Sequence, residues 1–185
     1  ILLQALQGLV VGLLFALIAA PSSRGQDLDE IKAAGVLRHL SIPYAHFNSG
    51  AGDGLDIDLV RLFAAHLGVR YKYVPTVWAD AFGDLIGQKV KAAGDEVDKL
   101  GATPIKGDVL ANGVTVLPWR EKVVAFSKPT FPTQVWLVAP IESPLPPITP
   151  TGDLQTDIAA TRRLVKGSHV MGKSGTCLDL SIFHL

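Results

Sequence analysis

The sequence has little cysteine, little methionine and no surplus of charge. Cys177 is the one cysteine in 185 residues, which excludes an intrachain disulfide framework and a Cys-based zinc cluster. The 17 Lys and Arg match the 17 Asp and Glu, so the basic stripe expected of a nucleic-acid binder is missing. His39, His46, His66, His169 and His184 form neither an H-E-x-x-H motif nor a close metal pair. No G-x-S-x-G nucleophile elbow is present. Charged residues are scarce at 18% while hydrophobic residues reach 48%, ample for a folded core. At roughly 150 residues per domain, the length fits one domain or one and a fraction.

The longest apolar run lies at the start. Ile1 to Ala20 reads ILLQALQGLVVGLLFALIAA, followed by Ser22-Ser23-Arg24-Gly25. Its core, Leu9 to Ala20, is shorter than the about 20 residues of a membrane span and suits the hydrophobic region of a secretory signal. We expect residues 1–25 to be a signal peptide, cleaved after Ala20 or Gly25; a membrane anchor is the alternative. No basic stretch precedes the run, so the natural start is expected upstream of Ile1. No cysteine near the cleavage zone supports a lipid anchor.

Beyond the leader, periodicity predicts alternating helices and strands. Asp27 can cap a helix closed by Gly35, and Val36 to Ser41 follows as a strand. Leu55, Leu59, Leu62, Phe63 and Leu67 fall on one helical stripe closed by Gly68. Val69 to Val74 alternates like a strand. Trp78 to Gln88 fits a helix, Lys89 to Gly107 a polar loop or excursion, and Asp108 to Ala111 a short buried strand. Gln134 to Ala139 fits another strand. Pro140 to Pro150 holds five prolines and should run extended. Asp153 to Val165 can be helical, and His169 to Gly172 a short strand before the turn Lys173-Ser174-Gly175-Thr176. The alternation predicts an α/β fold with a largely parallel sheet, whose ligand sites lie beyond the carboxyl ends of the strands.

Candidate chemistry follows from those loops. Asn112-Gly113-Val114-Thr115-Val116-Leu117-Pro118-Trp119-Arg120 offers backbone N–H groups, a hydroxyl and a guanidinium, a set suited to a carboxylate. The alternative for Arg120 is a solvated charge on a short helix. Tyr44, Phe47 and Trp78 can wall a small-molecule pocket or pack in the core. Asp56 and Asp58 fit first-turn helix acids better than a catalytic pair. Gly167 to Ser174 matches G-x-x-x-x-G-K-[ST]. However, the strand candidate Val170-Met171 lies inside the variable positions, not before the first glycine, which disfavours a nucleotide site.

In order, LDEIKAAGVLRHL, GLDIDLVRLFAAHLGVRYKYV, NGVTVLPWREKVVAFSKPTF and LVKGSHVMGKSGTC resemble the bacterial extracellular solute-binding proteins of family 3, the amino-acid-type receptors of ABC importers. The third stretch is the most specific, being similar to the family's T-x-x-P-x-R…V-x-F-S-x-P segment. The resemblance implies a type II periplasmic-binding-protein-like fold with two α/β lobes closing on ligand. Lobe one would span 26–132, a hinge and Pro-rich connector 133–152, and the start of lobe two 153–185. It implies that Arg120 grips a carboxylate, Thr115 adds a hydrogen bond, and the turn Gly175-Thr176-Cys177 closes from lobe two. Tyr44 and Trp78 would flank the ligand side chain. Asn112 and Gly113 complete the expected ligand set, with no catalytic residue, metal or cofactor. The expected partners are a small carboxylate solute and a membrane permease, in the periplasm. An enzyme on the same fold (a dehydratase or a peptidoglycan-cleaving protein) and a receptor sensor domain are the alternatives. Leu117 and Cys177 depart from the usual Thr or Ser, the link from Lys89 to Lys106 is long, and more of lobe two is expected further on.

Overall fold

The computed structural model describes residues 26–133, 135–173 and 176–185; the expected leader, residues 1–25, lies outside the described residues. Helix α1 (Leu28–Ala34) opens on a capping box in which the Asp27 carboxylate accepts from the Glu30 amide and Glu30 reaches back to the Asp27 amide. Gly35 ends it, and strand β1 (Val36–Ser41) follows directly. Helix α2 (Leu55–Leu67) returns the chain to strand β2 (Arg70–Pro75). The two strands pair in parallel, Val36 with Arg70 through Ser41 with Pro75. After helix α3 (Ala81–Ile86) come β3 (Gln88–Ala93) and β4 (Glu96–Ala102), then β5 (Val109–Leu110). β5 lies parallel to the other edge of β1, pairing His39 with Val109. The parallel sheet is therefore ordered β2-β1-β5, an α/β architecture as expected. Helix α4 (Pro118–Glu121), helix α5 (Leu154–Leu164) and a 3-10 turn (Leu180–Phe183) complete the elements.

Four expectations need correction. The stretch after α3 is an antiparallel hairpin, β3 with β4, not a loop. Val90, Ala92 and Val97 on it pack against the cluster of Phe82, Leu117 and Trp119, so the long link covers a core. The helix read over Trp78 to Gln88 shrinks to α3, because Gln88 already belongs to β3. No strand forms over 135–139 or 169–172. Neither segment has a strand beside it among the described residues, and a lone strand leaves its backbone groups to water. Trp136, Val138 and Met171 are accordingly exposed. Finally, α2 turns Ile57, Val60 and Ala64 to the sheet, while Leu55, Leu59, Leu62 and Phe63 face outward. The small Ala64 lets the helix approach closely, which a stripe of Leu and Phe would not.

Strand β1 is buried on both faces, with Leu37, His39, Leu40 and Ser41 at 1% exposure or less. One core lies between α1, β1 and α2, where Ile31, Leu37, Val60 and Ala64 meet with Val69, Tyr71, Val109 and Ala111. The polar groups of β1 are individually matched. Arg38 donates from its amide, Nε and Nη2 to the Asp108 carboxylate, whose side chain is fully buried. That bond raises the Arg38 pKa against the opposing effect of burial. His39 Nε2 lies 2.8 Å from the Ala111 carbonyl, which can only accept, so Nε2 carries the proton and Nδ1 accepts from the Tyr71 hydroxyl at 3.0 Å. Among the described residues no helix is long and apolar enough to cross a membrane.

Two predictions follow from β1. Burial lowers the His39 pKa, opposed by its bond to the Ala111 carbonyl and by the Asp56 charge. The unfolded chain therefore takes up the His39 proton first, and stability falls as pH drops through about 6.5. Urea denaturation at pH 7 and pH 5 should show this loss, and His39→Gln should flatten the slope between those pH values. Removing the carboxylate in Asp108→Ala leaves the Arg38 guanidinium with Gln26 at 3.4 Å. The expected cost is about 3 kcal/mol, read from the same curves.

Candidate functional site

At the carboxyl ends of β1, β2 and β5 lies a buried polar network. Asn112, immediately beyond β5, is fully buried. Its Oδ1 accepts from the Ser41 hydroxyl at 2.8 Å and the Ile42 amide at 2.9 Å. Asn48 Nδ2 donates to Ser41 Oγ at 3.0 Å and to the Tyr73 hydroxyl at 3.2 Å, and that hydroxyl donates to the Ser41 carbonyl at 3.3 Å. The loop after β1 is thereby fastened to the loop after β5. Asn112 Nδ2 remains without a hydrogen-bond partner, a costly state for a buried donor.

Gly113 has a left-handed backbone with φ of 60°. A Cβ there would stand 2.7 Å from the Phe47 ring. Its N–H donates to Asp56 Oδ2 at 2.6 Å, so this amide is held within the chain and is not free for a ligand as expected. Asp56 sits in the first turn of α2 and is buried, whereas Asp58 faces solvent beside Arg61. The two acids thus do different work, and neither forms a paired carboxylate site.

Arg120 lies on the short helix, as the alternative supposed, yet it is 3% exposed. Leu117 and Pro118 start that helix, and Pro118 at its first position needs no N–H partner. The guanidinium carbon stands 5.3 Å from the Phe82 ring centre and 5.2 Å from that of Trp119. Nη1 donates to the Thr115 carbonyl at 2.8 Å, and Nε has no partner. Among the described residues no carboxylate forms an ion pair with it. Burial accordingly lowers its pKa. An arginine stays protonated even so. The structure thus presents a buried cation held by aromatic faces, with donors still open. Thr115 supports it through its carbonyl.

The aromatic residues form a second group. Tyr44 stacks on Phe47 with ring centres 6.1 Å apart and meets Trp78 edge-on at 5.8 Å. Phe131, which the sequence reading did not single out, closes on Phe47 at 5.5 Å. Tyr44 keeps 45% of its surface exposed, so this cluster is a wall and not a core. Cys177 packs against the Phe82, Leu117 and Trp119 cluster. Thr176 donates its hydroxyl to the Lys173 carbonyl at 2.8 Å and accepts from the Leu178 amide, closing its own turn. Ser174 and Gly175 lie outside the described residues.

The stretch matching a phosphate loop has the wrong surroundings. Gly167 follows the end of α5, not a strand, and the next described regular element is the 3-10 turn. Among the described residues no group of three His, Cys, Asp or Glu could hold a metal ion.

No protein-family model and no curated protein matches the chain. Among solved structures, an ancestral cyclohexadienyl dehydratase is similar at 30% identity and a TM-score of 0.41 over 61% of this chain. The chain spans 40% of that protein's length.

The Gly113 geometry gives a further prediction. Gly113→Ala places a methyl group against Phe47 in a left-handed conformation and should cost roughly 2 kcal/mol in urea. It should also shift the Trp78 fluorescence, since Phe47, Tyr44 and Trp78 are in successive ring contact.

Proposed function

We propose that this chain binds a small carboxylate-bearing solute outside the cytoplasm, as the substrate-binding component of an ABC importer. One observation carries the reading: Arg120 is buried among aromatic faces with no carboxylate paired to it and with donors left open. A desolvated cation is costly unless an anion joins it. A carboxylate presented to the guanidinium edge would supply that anion through charge-assisted hydrogen bonds. Trp119 and Phe82 hold the guanidinium in place, so little order is lost on binding. The aromatic wall of Tyr44, Phe47 and Trp78 would meet the rest of the ligand, with Asn112 Nδ2 as a further donor. Thr115, Thr176 and Cys177 would act as secondary groups, with Gly113 shaping the loop. Closure of a second lobe around the Pro-rich connector would then shut out water. The sequence resemblance to family 3 solute-binding proteins supports the importer setting, the membrane permease as partner, and the periplasmic location.

The test is calorimetry against a panel of L-amino acids and dicarboxylates, with tryptophan fluorescence as a second readout. Wild type should bind at least one member. Arg120→Met keeps the apolar stem and should abolish binding. Arg120→Lys should weaken it by about tenfold or more, the worth of one charge-assisted bond. Equal binding by Arg120→Met, with an unchanged thermal melt, overturns the clamp. Loss of water from a cyclohexadienyl compound in the protein's presence would replace binding by catalysis, the activity named for the similar dehydratase.

A further inference from the structure

A second concave site lies well along the chain from Arg120. Between α5 and the 3-10 turn is a cavity of about 700 Å³. Arg162 and Arg163 come to it from the last turn of α5, and Lys166 from just beyond. Gly167, with φ of 84°, reverses the chain so that Ser168 and His169 return to the same cavity. His184, at the end of the 3-10 turn, also lines it. Val165 and Leu180 contribute apolar surface. Leu185 also borders it, and among the described residues no Asp or Glu does.

Among the described residues, Arg162, Arg163 and Lys166 take part in no ion pair. The acids nearest in sequence are turned to other work. Asp153 accepts from the Thr156 amide, Asp157 from Thr151, and Asp179 from Ser181. Complementing the α5 dipole accounts for basic residues in the last turn. It does not account for Lys166, His169 and His184, which lie beyond the helix.

We propose that this cavity is an anion site for a phosphate group carried by a small molecule or free in solution, separate from the Arg120 site. Three full positive charges exceed what a single carboxylate needs. Two guanidinium forks offer the planar paired donors that match phosphate oxygens. The Ser168 hydroxyl and two imidazoles add hydrogen-bond capacity, and the apolar surface of Val165 and Leu180 gives room for an organic part.

The experiment is calorimetry on the whole chain at low salt, titrating inorganic phosphate, pyrophosphate and a sugar phosphate in parallel. Saturable binding of at least one is expected, with affinity falling as salt rises. A free-phosphate site favours the inorganic anions, and a site for a phosphorylated metabolite favours the sugar phosphate. Arg162→Ala/Arg163→Ala/Lys166→Ala should weaken the best of them by about tenfold or more, the loss of a single charge-assisted contact being enough. All three residues are exposed, and a thermal melt verifies that the variant folds. Lys89→Ala/Lys91→Ala/Lys99→Ala, on the hairpin, removes the same charge elsewhere and should leave the affinity unchanged. Arg120→Met should also leave it unchanged, which separates this site from the solute clamp. No saturable binding of any of the three anions overturns the proposal. So does an equal loss from the hairpin variant, which would mark general attraction and no site.

Discussion

Burial of β1 on both faces is the constraint on which the rest of this structure depends. A strand covered on both sides reads as a run of apolar residues in most parallel sheets, yet this one carries Arg38, His39 and Ser41. Each polar group must find a partner where water cannot reach. One partner of each is supplied from β5 or its flanks, Asp108 before it and Ala111 and Asn112 after it, while Tyr71 and Asn48 complete the set for His39 and Ser41. The two-residue ladder of β5 is thus a small part of its attachment. Side chains of β1 do most of the holding, and in doing so they fix where the chain beyond Asn112 begins.

That placement sets up the Arg120 region. Once Asn112 is fastened to Ser41 and the Gly113 amide to Asp56, the next residues leave the sheet in one direction. They deliver Leu117 and Trp119 to Phe82 of α3, with the hairpin residues packed behind them. Arg120 is carried into the same cluster by its neighbours and not by any acid. Its burial is therefore a product of apolar packing, with electrostatics working against it. A cation buried in this way is fixed in position before any anion arrives, which suits recognition better than it suits stability.

Much of the fold was legible in the sequence because it rests on local signals. Asp27 with Glu30, Gly35 and Gly68 mark helix ends by chemistry that acts within a few residues. The β1 bounds follow from the residues between two such marks. The hairpin was missed, although one local signal pointed to it. Val90 and Val97 sit in short alternating runs about Gly94-Asp95, a turn pair suited to a tight hairpin, and the many lysines masked it. The outward face of α2 was not legible, because two stripes on that helix are apolar and only tertiary packing chooses between them. At the site, the residue types near Arg120 were apparent, but its burial was not. That depends on Phe82, which is remote in sequence, just as Phe131 is remote from Phe47. Asp56 was legible as a first-turn acid, but its bond to the distant Gly113 amide was not.

The order of strands in the parallel sheet carries a consequence for how the chain reaches this form. β1 comes first in the chain and is central, and only one of its two partners is the next strand in sequence. β2 joins it through the local crossover of α2. β5 arrives only after α3 and an entire hairpin have been threaded past, when His39 can meet Val109. Closing the larger loop costs more chain entropy than closing the smaller one, and pairings this distant slow folding. Until β5 docks, Arg38 lacks Asp108, and His39 and Ser41 each lack one of their partners. The contacts of the hairpin and of β1-α2-β2 are local, so the two-residue strand β5 carries the long-range closure that joins them.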